Sequence, residues 1–481
     1  MDLSGILVSL IHILIFIIIS ILIGLLAHGR WRSWAILVMS SLALFWLQPA
    51  SAIRNLDFLF PSMALLLTVL TWIAVRPPTH TISRGDMFAF GVMIAIPILL
   101  SLLRNLDRTF LITATRPPEP VGVLLPALLA SMILVVLARR SRQRRLLTRL
   151  VVLLILGLFI VLKSDILGQN MSRGLRSLTQ QPAELASALD LSWLGFSYIA
   201  FRLLHTLRDA QAGKLPELSL RAFAGYVLFF PTLTAGPIDR VERFQKDLSQ
   251  AAKLSAAEAI AGGSRIVLGV FKKFVVADGL ALIALNNSNA AQVQSTAWLW
   301  VITYAFALRL YFDFSGYTDV AIGMARIAGV CLPENFDRPY TRLNITAFWN
   351  SWHITLAHWF RTYFFNPLTR ALRSGRIRPP AQVVIFVTQV STMALLGLWH
   401  GLAWNFLLWG LWHGVGLFIH NRWVNFRRSN PDFLPIPLDG ARSMNILSGL
   451  LTFHFVTLGW IWFVISDVNQ AWETFARLFG R

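Results

Sequence analysis

Long apolar segments alternate with short polar ones along almost the whole chain. Each apolar segment has close to the ~20 residues that an α-helix needs to cross the hydrocarbon core of a bilayer. The pattern predicts about a dozen membrane spans, at residues 5–27, 34–53, 56–75, 87–103, 121–138, 149–166, 220–238, 263–285, 297–323, 382–400, 402–420 and 446–465. Residues 188–207 are predicted to form either a further span or a tilted, partly buried helix. We therefore predict an all-α polytopic membrane protein, with about 11–13 transmembrane helices plus re-entrant or interfacial helices.

The polar insertions between these segments are too short to bury a hydrophobic core of their own. We therefore predict a single membrane domain over residues 1–481. Residues 1–165 are predicted to be simple N-terminal spans, whereas residues 190–465 hold nearly all of the unusual polar groups. The first apolar run is longer than a signal peptide allows and no Lys or Arg precedes it, so it is predicted to be a retained span.

Composition agrees with this prediction, because 56% of the residues are hydrophobic and only 14% are charged. The net charge of +20 would suggest a nucleic-acid partner for a soluble protein. Here the basic residues flank the spans, as expected for the Lys and Arg excess on the cytoplasmic side of a membrane protein. We predict a multi-pass protein of the cytoplasmic (inner) membrane, with the lipid bilayer and not nucleic acid as its partner.

Two basic clusters are predicted to lie on the cytoplasmic side. Their members are Arg139, Arg140, Arg142, Arg144, Arg145 and Arg149 in the first, and Arg370, Arg373, Arg376 and Arg378 in the second. Both clusters would attract anionic lipid headgroups, and the phosphates of a donor molecule are the alternative ligand.

The motifs of several catalytic classes are missing from the sequence. It contains no Walker A loop, no His-Glu-x-x-His, no Cys-x-x-Cys and no Gly-x-Ser-x-Gly. These absences argue against an NTP-driven pump and a zinc protease, and no metal site is predicted. The single cysteine, Cys331, excludes an intrachain disulfide and is predicted to pack rather than to react.

The segment from Arg338 to Pro431 has ten arginines and no acidic residue, and it carries the strongest candidate chemistry. Within it, the pairs Trp352-His353 and Trp399-His400 set histidines among tryptophans. A polar group that is kept at bilayer depth is a candidate for a functional site because its insertion is unfavourable. Without a carboxylate nearby, these imidazoles are predicted to be neutral. They then suit proton transfer better than metal binding or a Ser-His-Asp triad.

Other polar groups of the apolar segments have a structural alternative. Arg309 and Asp313 are four residues apart, so on a helix they share a face and can pair, and a structural ion pair is favoured for Arg309. Asp313 and Asp319 remain open between ion pairing and a place in the site. His358, His413 and His420 are predicted to be interfacial, packing or capping residues. His454 is predicted to be structural, with a hydrogen bond to a backbone carbonyl of its own helix bundle.

The segment from Phe230 to Arg240 contains Pro and Gly within an apolar run, which breaks a helix. Such broken backbone is tolerated at membrane depth only where it is buried in protein or lines a cavity. The alternative is an ordinary helix end at Gly236-Pro237.

Taken in order, these motifs resemble the membrane-bound O-acyltransferase (MBOAT) family. The segments that carry the resemblance are Phe230–Arg240, Tyr311–Asp319, Pro333–Phe336, Phe348–Leu356, Gly397–Trp404 and Phe455–Phe463. The resemblance covers residues 190–465, while the N-terminal third matches only as a run of spans.

Two bacterial branches of that family are similar to this chain. Residues 236–240 favour the teichoic-acid D-alanylation membrane protein, whereas residues 365–368 and 399–404 favour the alginate O-acetyltransferase membrane protein. The acetylating proteins usually carry an arginine pair where this chain has Asn350 and Ser351.

The resemblance implies an MBOAT-like core and a direct acyl transfer. An acyl thioester, acetyl-CoA or an acyl carrier protein, would be the co-substrate, with no bound cofactor. The acceptor would be a hydroxyl of an extracytoplasmic glycan or envelope polymer, with an extracytoplasmic partner acyltransferase as a further component. His400 matches the family's catalytic histidine and is expected to be the general base. His353 matches its second active-site position and is expected to orient the acceptor or polarise the thioester carbonyl.

Further residues are predicted to bind substrate or shape this site. They are Trp352, Asn350, Trp399, Trp404, Asp313, Asp319 and Arg240. A transporter or flippase is the alternative from another class, since broken helices and intramembrane charges would serve it too. Inverted repeats would favour transport, and the sequence has none that we detect. An inactive scaffold is the third alternative, in which glutamine could replace both histidines.

Overall fold

The computed structural model describes residues 3–27, 29–77, 81–105, 113–139, 144–250, 253–430, 433 and 441–481. Throughout these ranges the regular secondary structure is helical and contains no strand. In a bilayer only a helix satisfies every backbone N–H and C=O within its own segment, which is why long apolar runs fold this way. The predicted all-α polytopic fold is confirmed.

Contacts divide the chain into two compact units, and each is described separately. Unit A comprises Val267–Asp319 and Pro333–Arg481, and unit B comprises Asp2–Ile266 and Val320–Leu332. The sequence-based division of one membrane domain at residues 165 and 190 stays a prediction.

Unit B holds the N-terminal helices. They are α1 (Leu3–Leu26), α2 (Arg30–Leu47), α3 (Leu56–Val75), α4 (Arg84–Leu102), α5 (Pro120–Arg139), α6 (Arg144–Lys163), α7 (Asp165–Leu178), α8 (Phe196–Gln211), α9 (Leu220–Val227), α10 (Val241–Ser249) and α11 (Ala256–Val270). The last residues of α11 and the π-helical turn Phe271–Ala277 that follows belong to unit A.

Unit A holds the remaining helices. They are α12 (Asp278–Ala281), α13 (Asn287–Gln292), α14 (Thr296–Ile327, whose end belongs to unit B), α15 (Ile345–Trp349), α16 (Ile354–Phe360), α17 (Asn366–Ser374), α18 (Ala381–His400), α19 (Trp404–Ser429), α20 (Ala441–Val464) and α21 (Val468–Leu478). A second π-helical turn, Arg361–Phe365, joins α16 to α17.

Seven helices of the described ranges are long and apolar enough to cross a membrane, and they support a multi-pass protein. Their apolar stretches are Val8–Leu26, Leu56–Val75, Arg84–Asn105, Pro120–Ala138, Arg145–Lys163, Ala381–His400 and Ser443–Val464. All seven coincide with predicted spans. The predicted count of about a dozen stays a prediction.

One predicted span is wrong as a continuous helix. Residues 220–238 form only the short α9 and a 3-10 turn at Phe230–Thr232 before the chain becomes irregular. The irregular backbone is buried, and Arg202, itself 1% exposed, donates hydrogen bonds to the carbonyls of Val227 (2.8 Å) and Thr232 (3.0 Å). Broken backbone is tolerated here because protein groups replace its helical hydrogen bonds.

In unit A, α18 and α19 form a hairpin in backbone contact. A Cβ atom at Gly410 would lie 2.3 Å from the carbonyl oxygen of Met393, and one at Gly397 would lie 2.1 Å from that of Phe406. Small residues allow such close approach between membrane helices, which pack without a hydrophobic driving force. This hairpin fixes the position of His400, the last residue of α18.

Candidate active site

Both predicted histidines line one small cavity in unit A. Its volume is about 50 Å³, and its wall consists of His353, His400, Leu310, Phe314, Trp349, Trp352, Leu356, Ala357, Leu396, Trp409, Trp460 and Phe463. The rest of the wall is apolar and mostly aromatic, so a charge inside it would be poorly solvated. The structure thus brings together two imidazoles that are 47 positions apart in the chain.

His353 is held at a bend between two short helices. It directly precedes α16, with φ 42° and ψ 52°, a left-handed conformation that few residues other than glycine adopt. The N–H of Ile354 donates to the backbone carbonyl of Asn335 at 2.9 Å, which ties this bend to the segment before α15. The imidazole meets the ring of Phe314 edge-on, with 4.7 Å between the centroids.

The imidazole of His353 is 4% exposed, and burial lowers its pKa to about 3. Its Nδ1 lies 3.0 Å from Oδ1 of Asn335. Within the described residues, its Nε2 has no hydrogen-bond partner. His353 is therefore a neutral imidazole with one nitrogen engaged and the other buried without a partner, on a ring that lines the cavity.

His400 sits among aromatic rings at the end of α18. Its ring centroid lies 4.4 Å from that of Trp399, 4.8 Å from Phe463 and 5.5 Å from Trp409. The Trp399 ring is also 6.3 Å from the ring of His353, so one indole contacts both histidines. Trp399 was predicted to shape the site; it is not among the residues that line the cavity, and its role there stays a prediction.

Trp352 forms part of the cavity wall and is 5% exposed. Its indole packs against Phe348, Phe336 and Trp460, with centroid distances of 5.6, 5.2 and 5.1 Å. Trp460 in turn donates from Nε1 to the hydroxyl of Tyr340 at 3.1 Å. That hydroxyl donates to the carbonyl of Ala307 at 2.8 Å. These contacts give the wall a fixed shape.

Asn350 and Trp404 lie outside the cavity wall. Asn350 is exposed and its Oδ1 accepts a hydrogen bond from Arg361 at 2.6 Å. The side chain of Trp404, at the start of α19, is 72% exposed. Arg240 belongs to unit B, where it is exposed and directly precedes α10.

Asp313 and Asp319 of α14 form ion pairs with two consecutive lysines on the π-helical turn Phe271–Ala277. Lys273 Nζ is 2.5 Å from Asp313 Oδ1 and 3.2 Å from Asp278 Oδ1, while Lys272 Nζ is 2.7 Å from Asp319 Oδ2. The ion pair that the spacing allowed between Arg309 and Asp313 is not found among the described residues, where Asp313 is paired with Lys273. The tertiary structure explains this difference, because another segment brings the cation of Lys273 closer to Asp313 than its i,i+4 neighbour Arg309.

Three other histidines of unit A, His413, His420 and His454, have structural surroundings, and His358 is exposed. His413 is fully buried against Trp409, Trp349 and Phe455. His420 Nδ1 lies 2.9 Å from the hydroxyl of Thr346. His454 Nδ1 lies 2.7 Å from the carbonyl of Leu450 in its own helix, as predicted, and its Nε2 lies 2.8 Å from Tyr304 Oη.

A second cavity of about 150 Å³ adjoins the first. Trp349, Ala357 and Leu396 line both. Its other lining residues include Arg361 and Gln389, and Gln389 Oε1 is buried without a hydrogen-bond partner among the described residues. This cavity therefore offers polar groups that the cavity of the two histidines does not.

Sequence reasoning missed several groups that build the site. In the sequence, Asn335 was noted only as part of the Pro333–Phe336 segment. The spacing of Tyr340 and Trp460 from the two histidines does not predict that they contact the site. Lys272-Lys273 was visible as a basic pair inside an apolar segment, and that signal could have found the partners of the two aspartates.

The arrangement suits proton transfer from a hydroxyl in a water-poor cavity. No Ser, Thr or Cys is among the residues that line the cavity of the histidines. Among the described residues, no group of three or more His, Cys, Asp or Glu is placed to hold a metal ion. An imidazole beside a small apolar space can accept a proton when it is neutral, and can donate or accept hydrogen bonds to an oxygen that develops charge.

Comparisons with known proteins show a match to one protein family and to several relatives. Residues 133–466 match MBOAT, the membrane-bound O-acyltransferase family. The chain is 33% identical over 272 residues to a teichoic acid D-alanyltransferase of Bacillus subtilis, which covers 56% of this chain and 68% of the relative. It is 32% identical over 348 residues to a probable alginate O-acetylase of Pseudomonas aeruginosa, which covers 71% and 61%. It is 32% identical over 262 residues to a peptidoglycan O-acetyltransferase of Helicobacter pylori, which covers 54% and 46%.

Proposed function

The chain belongs to the membrane-bound O-acyltransferase family, and on that premise we propose that it moves a short acyl group, acetyl, from a cytoplasmic thioester to hydroxyls of an extracytoplasmic polysaccharide or envelope polymer. The observation that carries this proposal is the single apolar cavity lined by both His353 and His400. The membrane is the cytoplasmic (inner) membrane.

The chemistry is a direct transfer. As the acceptor oxygen attacks the thioester carbon, His400 takes its proton as general base, since a hydroxyl is a weak nucleophile before it loses that proton. The C–S bond then breaks, and the imidazolium returns the proton to the leaving thiolate. Aromatic walls exclude water, which protects the thioester from hydrolysis. The absence of a Ser, Thr or Cys from the residues that line the cavity agrees with a route without an acyl-enzyme.

The size of the cavity supports a short acyl group. A space of about 50 Å³ has room for only a few water molecules, since each needs roughly 10–15 Å³. An acetyl or D-alanyl group has suitable dimensions, whereas a fatty acyl chain would require the aromatic wall to open. The adjoining cavity, with Gln389 and Arg361, offers polar groups to the remainder of a substrate.

The first experiment measures thioester consumption by the purified protein in nanodiscs. Acetyl-CoA and an acyl-loaded carrier protein are offered separately, with a glycan acceptor, to wild type and His400→Ala. We expect consumption that depends on His400, because it matches the family's catalytic histidine and lines the cavity. Acetyl-CoA as the consumed donor would support acetyl transfer, and consumption of the carrier alone would favour D-alanyl transfer.

Two outcomes contradict the proposal. If folded protein consumes neither thioester with acceptor present, transport of envelope precursors or an obligate extracytoplasmic partner acyltransferase becomes the better explanation. If His400→Ala consumes thioester at the wild-type rate, His400 is not the general base. Gel filtration of each variant before the assay separates loss of folding from loss of chemistry.

A further inference from the structure

Asn335 lies behind His353 and is the only residue that hydrogen-bonds its ring among the described residues. The asparagine is 0% exposed. Its Oδ1 faces three groups: His353 Nδ1 at 3.0 Å, the hydroxyl of Thr355 at 2.9 Å and the backbone N–H of Thr355 at 3.3 Å. Three contacts therefore converge on this oxygen, whereas Nδ2 of the same amide is buried without a hydrogen-bond partner among the described residues.

The backbone N–H of Thr355 decides which atom of the amide faces the histidine. A backbone N–H can only donate, so the atom opposite it is the carbonyl oxygen of Asn335 and not its NH2 group. That oxygen can only accept. His353 Nδ1 therefore carries the hydrogen and donates it to Asn335.

The tautomer follows from this hydrogen bond. In a neutral imidazole one nitrogen carries the hydrogen and the other carries a lone pair, and the partner of the first selects the state of the second. With the hydrogen on Nδ1, the lone pair is on Nε2. This is the nitrogen without a partner, on a ring that lines the cavity. The rings packed against the imidazole, Phe314 and Trp399, do not titrate and offer it no charge.

We propose that Asn335 is a positioning residue that fixes His353 with its hydrogen on Nδ1, so that Nε2 meets the substrate as a hydrogen-bond acceptor. This inference rests on the proposed acyl transfer and makes one of its steps more definite. A neutral Nε2 without a hydrogen cannot donate to the thioester carbonyl. His353 therefore acts on the acceptor, whose hydroxyl donates to Nε2.

Nitrogen NMR of the histidine rings tests this directly. The protein is labelled with 15N-histidine in nanodiscs, and the His353 signals are assigned by their loss in His353→Gln. We expect protonated Nδ1 and unprotonated Nε2 in wild type. Asn335→Ala should shift the population towards hydrogen on Nε2. Thr355→Val should leave the tautomer unchanged, since it removes one hydroxyl and keeps the backbone N–H.

A wild-type ring that carries its hydrogen on Nε2 would overturn the inference, and apart from the His353→Gln sample used for assignment this spectrum needs no variant to fold. It also needs no turnover, so it is independent of the proposed function. Failure of thioester consumption with the expected tautomer would reject acyl transfer alone.

Kinetic measurements can separate a positioning role of Asn335 from a merely structural one. Asn335→Ala should raise the KM for the acceptor more than the KM for the thioester. Asn335→Asp keeps an oxygen at Nδ1 but places a carboxylate beside the ring, which favours the imidazolium. Its activity should therefore be lost from the acid side at a higher pH than in wild type. An unchanged pH profile in a folded Asn335→Asp protein would contradict the proposed contact.

Discussion

Burial sets the protonation state of His353. The pKa of this imidazole is lowered to about 3 because the ring is enclosed by apolar and aromatic groups that solvate a cation poorly. Near neutral pH the ring is therefore uncharged, with one N–H and one nitrogen whose lone pair can accept a hydrogen bond. Protonation would require a pH near 3, so His353 should not itself limit activity between about pH 5 and 8.

Two buried histidines of unit A form a matched pair for testing this assignment. His353 lines the cavity, whereas His413 is fully buried among Trp409, Trp349 and Phe455 and does not line it. We expect His353→Gln to lower acyl transfer by about 100-fold or more, the usual range for loss of a group that handles the proton or orients its donor. His413→Gln should keep most of the wild-type activity per folded molecule.

Thioester consumption per folded molecule is the measurement for both variants. Wild-type turnover in His353→Gln would remove this residue from the site and reduce it to an interfacial residue. If His413→Gln and His353→Gln fold equally well and lose the same activity, then lining the cavity does not distinguish the role of His353 from that of His413.

At the scale of elements, the α18–α19 hairpin determines where His400 stands. Backbone contact at Gly410 and Gly397 leaves no volume for a side chain between the two helices. The π-helical turn Phe271–Ala277 packs against α14 in a similar way, because a Cβ atom at Gly316 would lie 2.7 Å from the carbonyl of Gly269. That close approach brings Lys272 and Lys273 to the aspartates of α14.

Adding one methyl group to the hairpin should therefore be destabilising. In Gly410→Ala the new Cβ would meet the carbonyl oxygen of Met393 at 2.3 Å, so α18 and α19 must separate. We expect a loss of roughly 1–3 kcal/mol, typical of an overpacked contact. Gly157→Ala in α6 is the control, since its Cβ has nothing within 4 Å.

Thermal unfolding of both variants in the same detergent measures the effect. The midpoint should fall in Gly410→Ala and stay constant or rise slightly in Gly157→Ala, because alanine favours a helix over glycine. Equal midpoints for the two variants would mean that the hairpin has room at Gly410.

For the whole molecule, the basic clusters predict an orientation in the membrane, and thiol labelling can test it. Arg370, Arg373, Arg376 and Arg378 surround the exposed Ser374, and positive residues favour the cytoplasmic side. In a Cys331→Ser background, Ser374→Cys should resist a membrane-impermeant maleimide added to intact cells and react after permeabilisation. Labelling from outside would reverse the predicted orientation and put the thioester on the other side.

The sequence by itself determined the elements whose cause is local. The apolar stretches of α1, α3, α4, α5, α6, α18 and α20 were predicted because their length and hydrophobicity suffice to cross a bilayer wherever they pack. The Trp352-His353 and Trp399-His400 pairs could also be found, since polar groups among apolar ones are visible in the sequence alone. The family followed from the order of such motifs.

Only the tertiary structure decided which groups meet. The cavity joins His353 and His400, Asn335 reaches His353 across 18 positions, and Lys272 reaches Asp319 across 47. Spacing suggests partners within one helix, as it did for Arg309 and Asp313, but a nearer partner from another segment prevails. Trp404 likewise belonged to a motif yet faces outward. Helical periodicity determines which face of a helix a residue occupies. The packing of segments that are distant in the sequence determines which groups that face contacts.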